Sequence, residues 1–181
     1  MSNNIFKQIK HDLPDFPDEI IKGWLLPLGM KYGWPPREKL FGAALMFGSI
    51  DYWRNIIWEK KQKGFKDLHL SPGYQGLIDE MVSNYKAGRN SLSDSTERIN
   101  NVMEYIKNEQ KLPKPVVLIS TDNGYDIADG NHRLVACKIL TNKATRDNII
   151  LDAWIGLPRL AKTTFYWSRL SNSKHGQEKS K

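Results

Sequence analysis

The sequence is nearly devoid of cysteine. Cys137 stands alone among 181 residues, which excludes an intrachain disulfide framework and any all-cysteine metal centre and suits a reducing compartment. Long apolar runs are missing as well. The richest stretch, Leu40 to Ile50, stops at Asp51, well short of the ~20 apolar residues of a membrane-spanning helix. The opening Met1-Ser2-Asn3-Asn4-Ile5-Phe6-Lys7 has no signal-peptide core. These absences lead to the expectation of a cytoplasmic protein with no membrane partner. The histidines His11, His69, His132 and His175 are scattered and form no His-Glu-x-x-His zinc pair. There is no Gly-x-x-x-x-Gly-Lys-Ser/Thr loop, no Gly-x-Ser-x-Gly elbow and no internal repeat.

Aromatic and basic residues are plentiful. Six Trp and 40% hydrophobic residues indicate a folded chain. Lys plus Arg number 27 against 20 Asp plus Glu, a net charge of +7, which favours polyanionic partners. The surplus is dense at the end, where Arg159, Lys162, Arg169, Lys174, Lys179 and Lys181 face one acid, Glu178, with Phe165-Tyr166-Trp167 set among them. That mixture suits DNA, through phosphate neutralisation and stacking. A docking segment followed by a solvated tail is the equal alternative. Trp24, Trp34, Trp53 and Trp58 lie in the first third. Packing of a small helical region explains them more readily than an aromatic surface for a protein partner or stacked bases.

Along the chain, residues 1–16 read as polar, loosely held and extended near Pro14 and Pro17. Asp18-Glu19 opens a helix with Ile20, Ile21, Trp24, Leu25 and Leu28 on its apolar face, broken between Gly29 and Gly33. Further helices are expected from Arg37 to about Phe47, from Tyr52 to Lys63, and from Ser71-Pro72 to Gly88. Asp94-Ser-Thr-Glu97 resembles a capping box, and Ile99, Val102, Met103 and Ile106 follow at helical spacing. Val116-Val117-Leu118-Ile119 reads as a strand. Thr121-Asp122-Asn123-Gly124 reads as a primed hairpin turn, and Tyr125-Asp126-Ile127-Ala128 as the return strand. A helix carrying Leu134, Val135, Ile139 and Leu140 and a strand from Ile149 to Ile155 complete the pattern.

The richest chemistry lies where the return strand meets that helix, at Asp129-Gly130-Asn131-His132-Arg133. The first turn of a helix offers backbone N–H groups with no partner inside the helix, and these groups with the dipole attract anions. Gly130 removes the side chain that would keep a phosphate from the backbone. Arg133 can grip a phosphate with two parallel hydrogen bonds. Asn131 can donate to a phosphate or sugar oxygen, His132 can move a proton near neutral pH, and Asp129 can hold Mg²⁺, act as a base or merely cap the helix. Each residue alone has a structural explanation, including a simple pairing of Arg133 with Asp126 or Asp129. Five together at one junction favour a site.

These residues carry a resemblance. The order of helix, Pro115-Val-Val-Leu-Ile119, hairpin, Asp129-Gly-Asn-His-Arg-Leu134, helix and closing strand over residues 89–155 resembles the ParB/sulfiredoxin superfamily. The resemblance implies nucleotide-phosphate binding by Gly130, Asn131 and Arg133, with Arg89 matching an arginine ahead of the first helix. It brings ATP or CTP as ligand, Mg²⁺ at Asp129, and catalytic parts for Asp129 and His132. The motif departs from the family at informative places. ParB usually has Gly-Glu-Arg-Arg where Gly130-Asn131-His132-Arg133 stands, which argues against its CTP hydrolysis, and no helix-turn-helix follows Ile155. Sulfiredoxin needs a thiol where Asn131 sits, and Cys137 reads as core.

The expectation is therefore an α+β fold, a small mixed β-sheet with packed helices preceded by a helical N-terminal region. The expected divisions are 1–88 helical extension, 89–170 ParB/sulfiredoxin-like domain and 171–181 basic tail. The expected function is nucleotide or phosphate binding, extending to an NTP hydrolase or a nuclease acting on DNA. The alternatives are a non-catalytic interaction protein, such as a plasmid fertility-inhibition factor, and a DNA-binding module with a vestigial site.

Overall fold

The computed structural model describes residues 2–35, 50–89, 95–142 and 149–159. The fold is α+β, with one four-stranded sheet between two helical layers. The strands β1 (Ile56–Gly64), β2 (Val116–Thr121), β3 (Gly124–Asp129) and β4 (Ile150–Pro158) lie in the order β1-β4-β2-β3. β4 runs antiparallel to β1 and parallel to β2, and β2 and β3 form an antiparallel hairpin.

Alternation along the strands sends side chains to both faces. Val116, Leu118, Ile127, Leu151, Ala153 and Ile155 pack against α5 (Pro72–Lys86), α6 (Ser95–Glu109) and α7 (Asn131–Asn142). Ile56, Val117, Ile119 and Ala128 face the opposite layer, made by α1 (Ser2–Asp12), α2 (Asp18–Ile20), α3 (Leu26–Tyr32) and α4 (Ile50–Arg54). Cys137 is buried, as its sequence position suggests, and burial pushes its thiol up to about 12. No helix among the described residues is long and apolar enough to cross a membrane.

Several local expectations are corrected. Residues 2–12 form a helix, because Ile5 and Ile9 recur four residues apart and Leu13 follows in step. Ile9, Leu13 and Phe16 are almost completely buried. The helix from Asp18 continues to Tyr32 through a widened π turn, Ile21–Leu25, in which the Leu26 amide reaches Ile21 O. That turn lies directly ahead of Pro27, which has no amide for the upstream carbonyl and would crowd a regular turn. The expected helix from Tyr52 to Lys63 is a short helix followed by β1. The Asn55 side chain caps Asp51 O at 2.8 Å where α4 stops, and Ile56-Ile57-Trp58 is β-branched and aromatic, as a strand favours. The Asn123-Gly124 turn is not a primed pair. Positive φ falls on Gly124 (φ 121) and not on Asp122 or Asn123, and the 69–71 segment lies close against this glycine: a Cβ there would meet His69 O at 2.6 Å.

The expected boundary at residue 88 does not divide the sheet. β1 pairs along its whole length with β4, and α5 lies in the same core as α6 and α7. Residues 1–88 thus supply a strand to the shared sheet as well as helices. Trp24 and Trp53 are buried in the N-terminal layer, where Trp24 and Phe16 meet Trp53 edge-on. Packing, and not an exposed aromatic surface, explains them. The expected helix at 37–47, the cap at Asp94 and the basic segment beyond Arg159 lie outside the described residues.

Candidate functional site

One register line crosses the whole sheet on the face covered by the N-terminal layer. Lys60 on β1 pairs with Trp154 on β4, Trp154 with Val117 on β2, and Val117 with Asp129 on β3. Neighbouring strands are ~4.8 Å apart, so Trp154 and Asp129 stand roughly 10 Å apart with the smaller Val117 between them. A large, a small and a polar side chain in a row leave a trough. Trp154, Val117, Asp129 and Arg133 line a cleft of about 510 Å³, together with Ile20, Gly23 and Trp24 from the N-terminal layer and Pro113-Lys114-Pro115. Lys22 and Glu19 complete its rim. The volume lies within the range of small-molecule sites.

The trough is held open from the Trp154 side. Glu19 Oε2 accepts a 3.0 Å hydrogen bond from Trp154 Nε1 and a 2.8 Å bond from Lys60 Nζ. The Lys60 bond, aided by the Trp154 bond, lowers the Glu19 carboxyl below its ordinary range. Lys60 also lies 5.6 Å from the centre of the Trp154 ring. The indole is therefore fixed at its edge by Glu19 and covered by an ammonium group from the β1 side.

The other wall is the strand-to-helix junction. Gly130 takes φ 118, a value open to glycine and strained for other residues, and the Leu134 amide bonds Gly130 O at 3.0 Å as the first full turn of α7. The space over Gly130 is filled by the arginine: a Cβ at Gly130 would meet Arg133 Nη2 at 3.1 Å, Arg133 Nε at 3.2 Å and Val116 Cγ1 at 2.8 Å. The missing side chain admits the guanidinium, not a phosphate. Arg133 Nη2 donates to Asp129 Oδ2 at 2.6 Å, with the arginine side chain 13% exposed. Arg133 Nε and Asn131 Oδ1 are buried with no hydrogen-bond partner among the described residues, so this junction keeps one donor and one acceptor in reserve.

The five junction residues are split by the helix. Asp129 and Arg133 open to the cleft. His132 turns the other way, its Nε2 3.3 Å from Oγ of the buried Ser95 at the start of α6. Arg89 stands just past α5, its amide on Asn84 O at 2.8 Å, and does not line the cleft. Among the described residues no three His, Cys, Asp or Glu side chains gather as a metal site. Asp129 is a single carboxylate already bonded to arginine, so the described residues alone do not form a cage for Mg²⁺. An ion there would need phosphate oxygens to fill its shell.

Sequence reasoning missed Lys22, Lys114, Glu19 and Trp154. Lys114 sits in the Pro-Lys-Pro run beside the expected strand and was within reach of inspection. Alternation in β4 also sets Trp154 on the face opposite Leu151, Ala153 and Ile155. Lys22 and Glu19 come from the N-terminal helix and join the cleft only through tertiary packing. Comparison of the chain with protein-family models, curated proteins and solved structures finds no match in any of the three.

Proposed function

We propose that this protein binds a small phosphate-bearing molecule, a nucleotide in the first instance, in the cleft between its N-terminal helices and its sheet. One observation carries the reading: Arg133, Lys114 and Lys22, from three separate parts of the chain, converge on a single cleft of about 510 Å³. Glu19 on the same rim pairs with Lys60, Asp129 with Arg133 and Lys22 with Asp18, and the three cations that line the cleft outnumber its two carboxylates by one. Arg133 is shielded from water, which strengthens its pull on an anion.

The same geometry favours binding over hydrolysis. His132, the expected acid or base, faces Ser95 and does not line the cleft, and Asp129 serves the arginine. A nuclease or NTP hydrolase reading thus has less support than a binding one. The test is a thermal-shift panel of ATP, CTP, GTP, UTP and their diphosphates, with and without Mg²⁺. A ligand of the folded state raises Tm by mass action. At least one nucleotide is expected to raise Tm in a saturable manner, with the effect reduced by high salt. A flat response to the whole panel overturns the proposal.

A further inference from the structure

We infer that Trp154 is the base-recognising wall of the cleft, so that the preferred ligand carries a planar heteroaromatic ring as well as phosphate. The inference rests on the nucleotide reading above and goes beyond it by assigning the residue that selects for the base. Trp154 is the one large aromatic in the register line Lys60–Trp154–Val117–Asp129. Its two faces are unlike. Lys60, its partner on β1, sits over the ring at 5.6 Å, and on the β2 side the neighbour is Val117, too short to cover an indole. Trp154 lines the same cleft as Asp129, which lies across Val117 from it, and as Arg133.

The dimensions fit one ring. Two strand spacings, roughly 10 Å, separate the two walls, and a planar ring in contact with the indole sits roughly 3.5 Å from it. A base stacked there lies over Val117. Its phosphates fall to Arg133 at the far wall and to Lys114 and Lys22 at the rim. The Trp154 edge is already fixed by Glu19 at 3.0 Å, so the platform is set before a ligand arrives and loses little freedom on binding. The cation over its other face, drawn to the ring's π electrons, holds the platform from behind.

The experiment compares calorimetric titrations of the full chain with ATP, CTP and inorganic tripolyphosphate, in wild type, Trp154→Leu and Trp154→Phe. Wild type is expected to bind a nucleotide more tightly than tripolyphosphate. Trp154→Leu should weaken nucleotide binding by about tenfold or more, in keeping with the loss of one stacked base, and leave tripolyphosphate affinity unchanged. Trp154→Phe, which keeps a ring and guards against a leucine variant that fails to fold, should retain most of the nucleotide affinity. Equal loss for nucleotide and tripolyphosphate in both variants would make Trp154 a structural wall and overturn the inference. So would nucleotide binding that Trp154→Leu leaves intact. Those results leave the phosphate reading standing, whereas a wild type that binds none of the three ligands overturns both.

Discussion

Arg133 and Asp126 illustrate two ways a charged side chain is kept out of water. Arg133 is paired with Asp129 and lies over a glycine. Asp126 is 8% exposed and accepts a hydrogen bond from the Ser71 hydroxyl. Burial raises the Asp126 carboxyl above its ordinary range, and the Ser71 hydrogen bond only partly opposes this. A carboxyl whose folded pKa is raised contributes stability fully below its unfolded pKa, and loses it as pH rises through the folded value. At neutral pH the buried charge is therefore a net cost. Asp126→Asn, which keeps an oxygen to accept from Ser71, is expected to raise Tm at pH 7. The gain should vanish near pH 3, where the wild-type carboxyl is protonated, as thermal melts across that range would record. A lower Tm for the variant at pH 7 would mean that the charge does more for the start of α5 than its desolvation costs.

At the scale of elements, legibility followed periodicity and failed where two periods overlapped. β2, β3, α5, α6 and α7 lie close to where the sequence puts them, since their apolar spacing is unmixed and Pro72, Gly88 and Pro113 mark their ends. Trp53, Ile56 and Ile57 also suit a helix by spacing, and only the pairing of β1 with β4 decides for a strand. The Asp129–Arg133 junction was legible as a strand-to-helix turn, but the use of Gly130 was not, because sequence does not reveal which neighbour fills a glycine's space. In α1 the signal of Ile5, Ile9 and Leu13 was present yet outweighed by the polar residues around it. Since Leu13 is 2% exposed, Leu13→Ala is expected to cost about 2–4 kcal/mol in chemical denaturation. A cost under about 0.5 kcal/mol, typical of surface positions, would show α1 to be dispensable.

At the scale of the molecule, the sheet binds both halves of the sequence into one unit. A fragment of residues 89–170 lacks β1, the neighbour of β4, and α5, which shares the core beneath α7. It would expose the backbone edge of β4, the sheet face that the N-terminal layer covers and the apolar surface that α5 covers. Such a fragment is expected to show no cooperative thermal transition by circular dichroism, whereas the full chain melts cooperatively. A fragment that unfolds sharply would restore the boundary near residue 88. The cleft has the same dependence: Ile20, Lys22 and Trp24 come from the first helices, Val117 and Trp154 from β2 and β4, and Arg133 from α7.

The central claim is that this shared cleft takes a phosphate-bearing ligand through Arg133, and calorimetric titration of ATP and CTP into wild type and Arg133→Ala tests it most directly. Saturable binding of at least one nucleotide to the wild type is expected, and its loss in a variant that still melts cooperatively. Titrations of wild type and variant that cannot be told apart would contradict it.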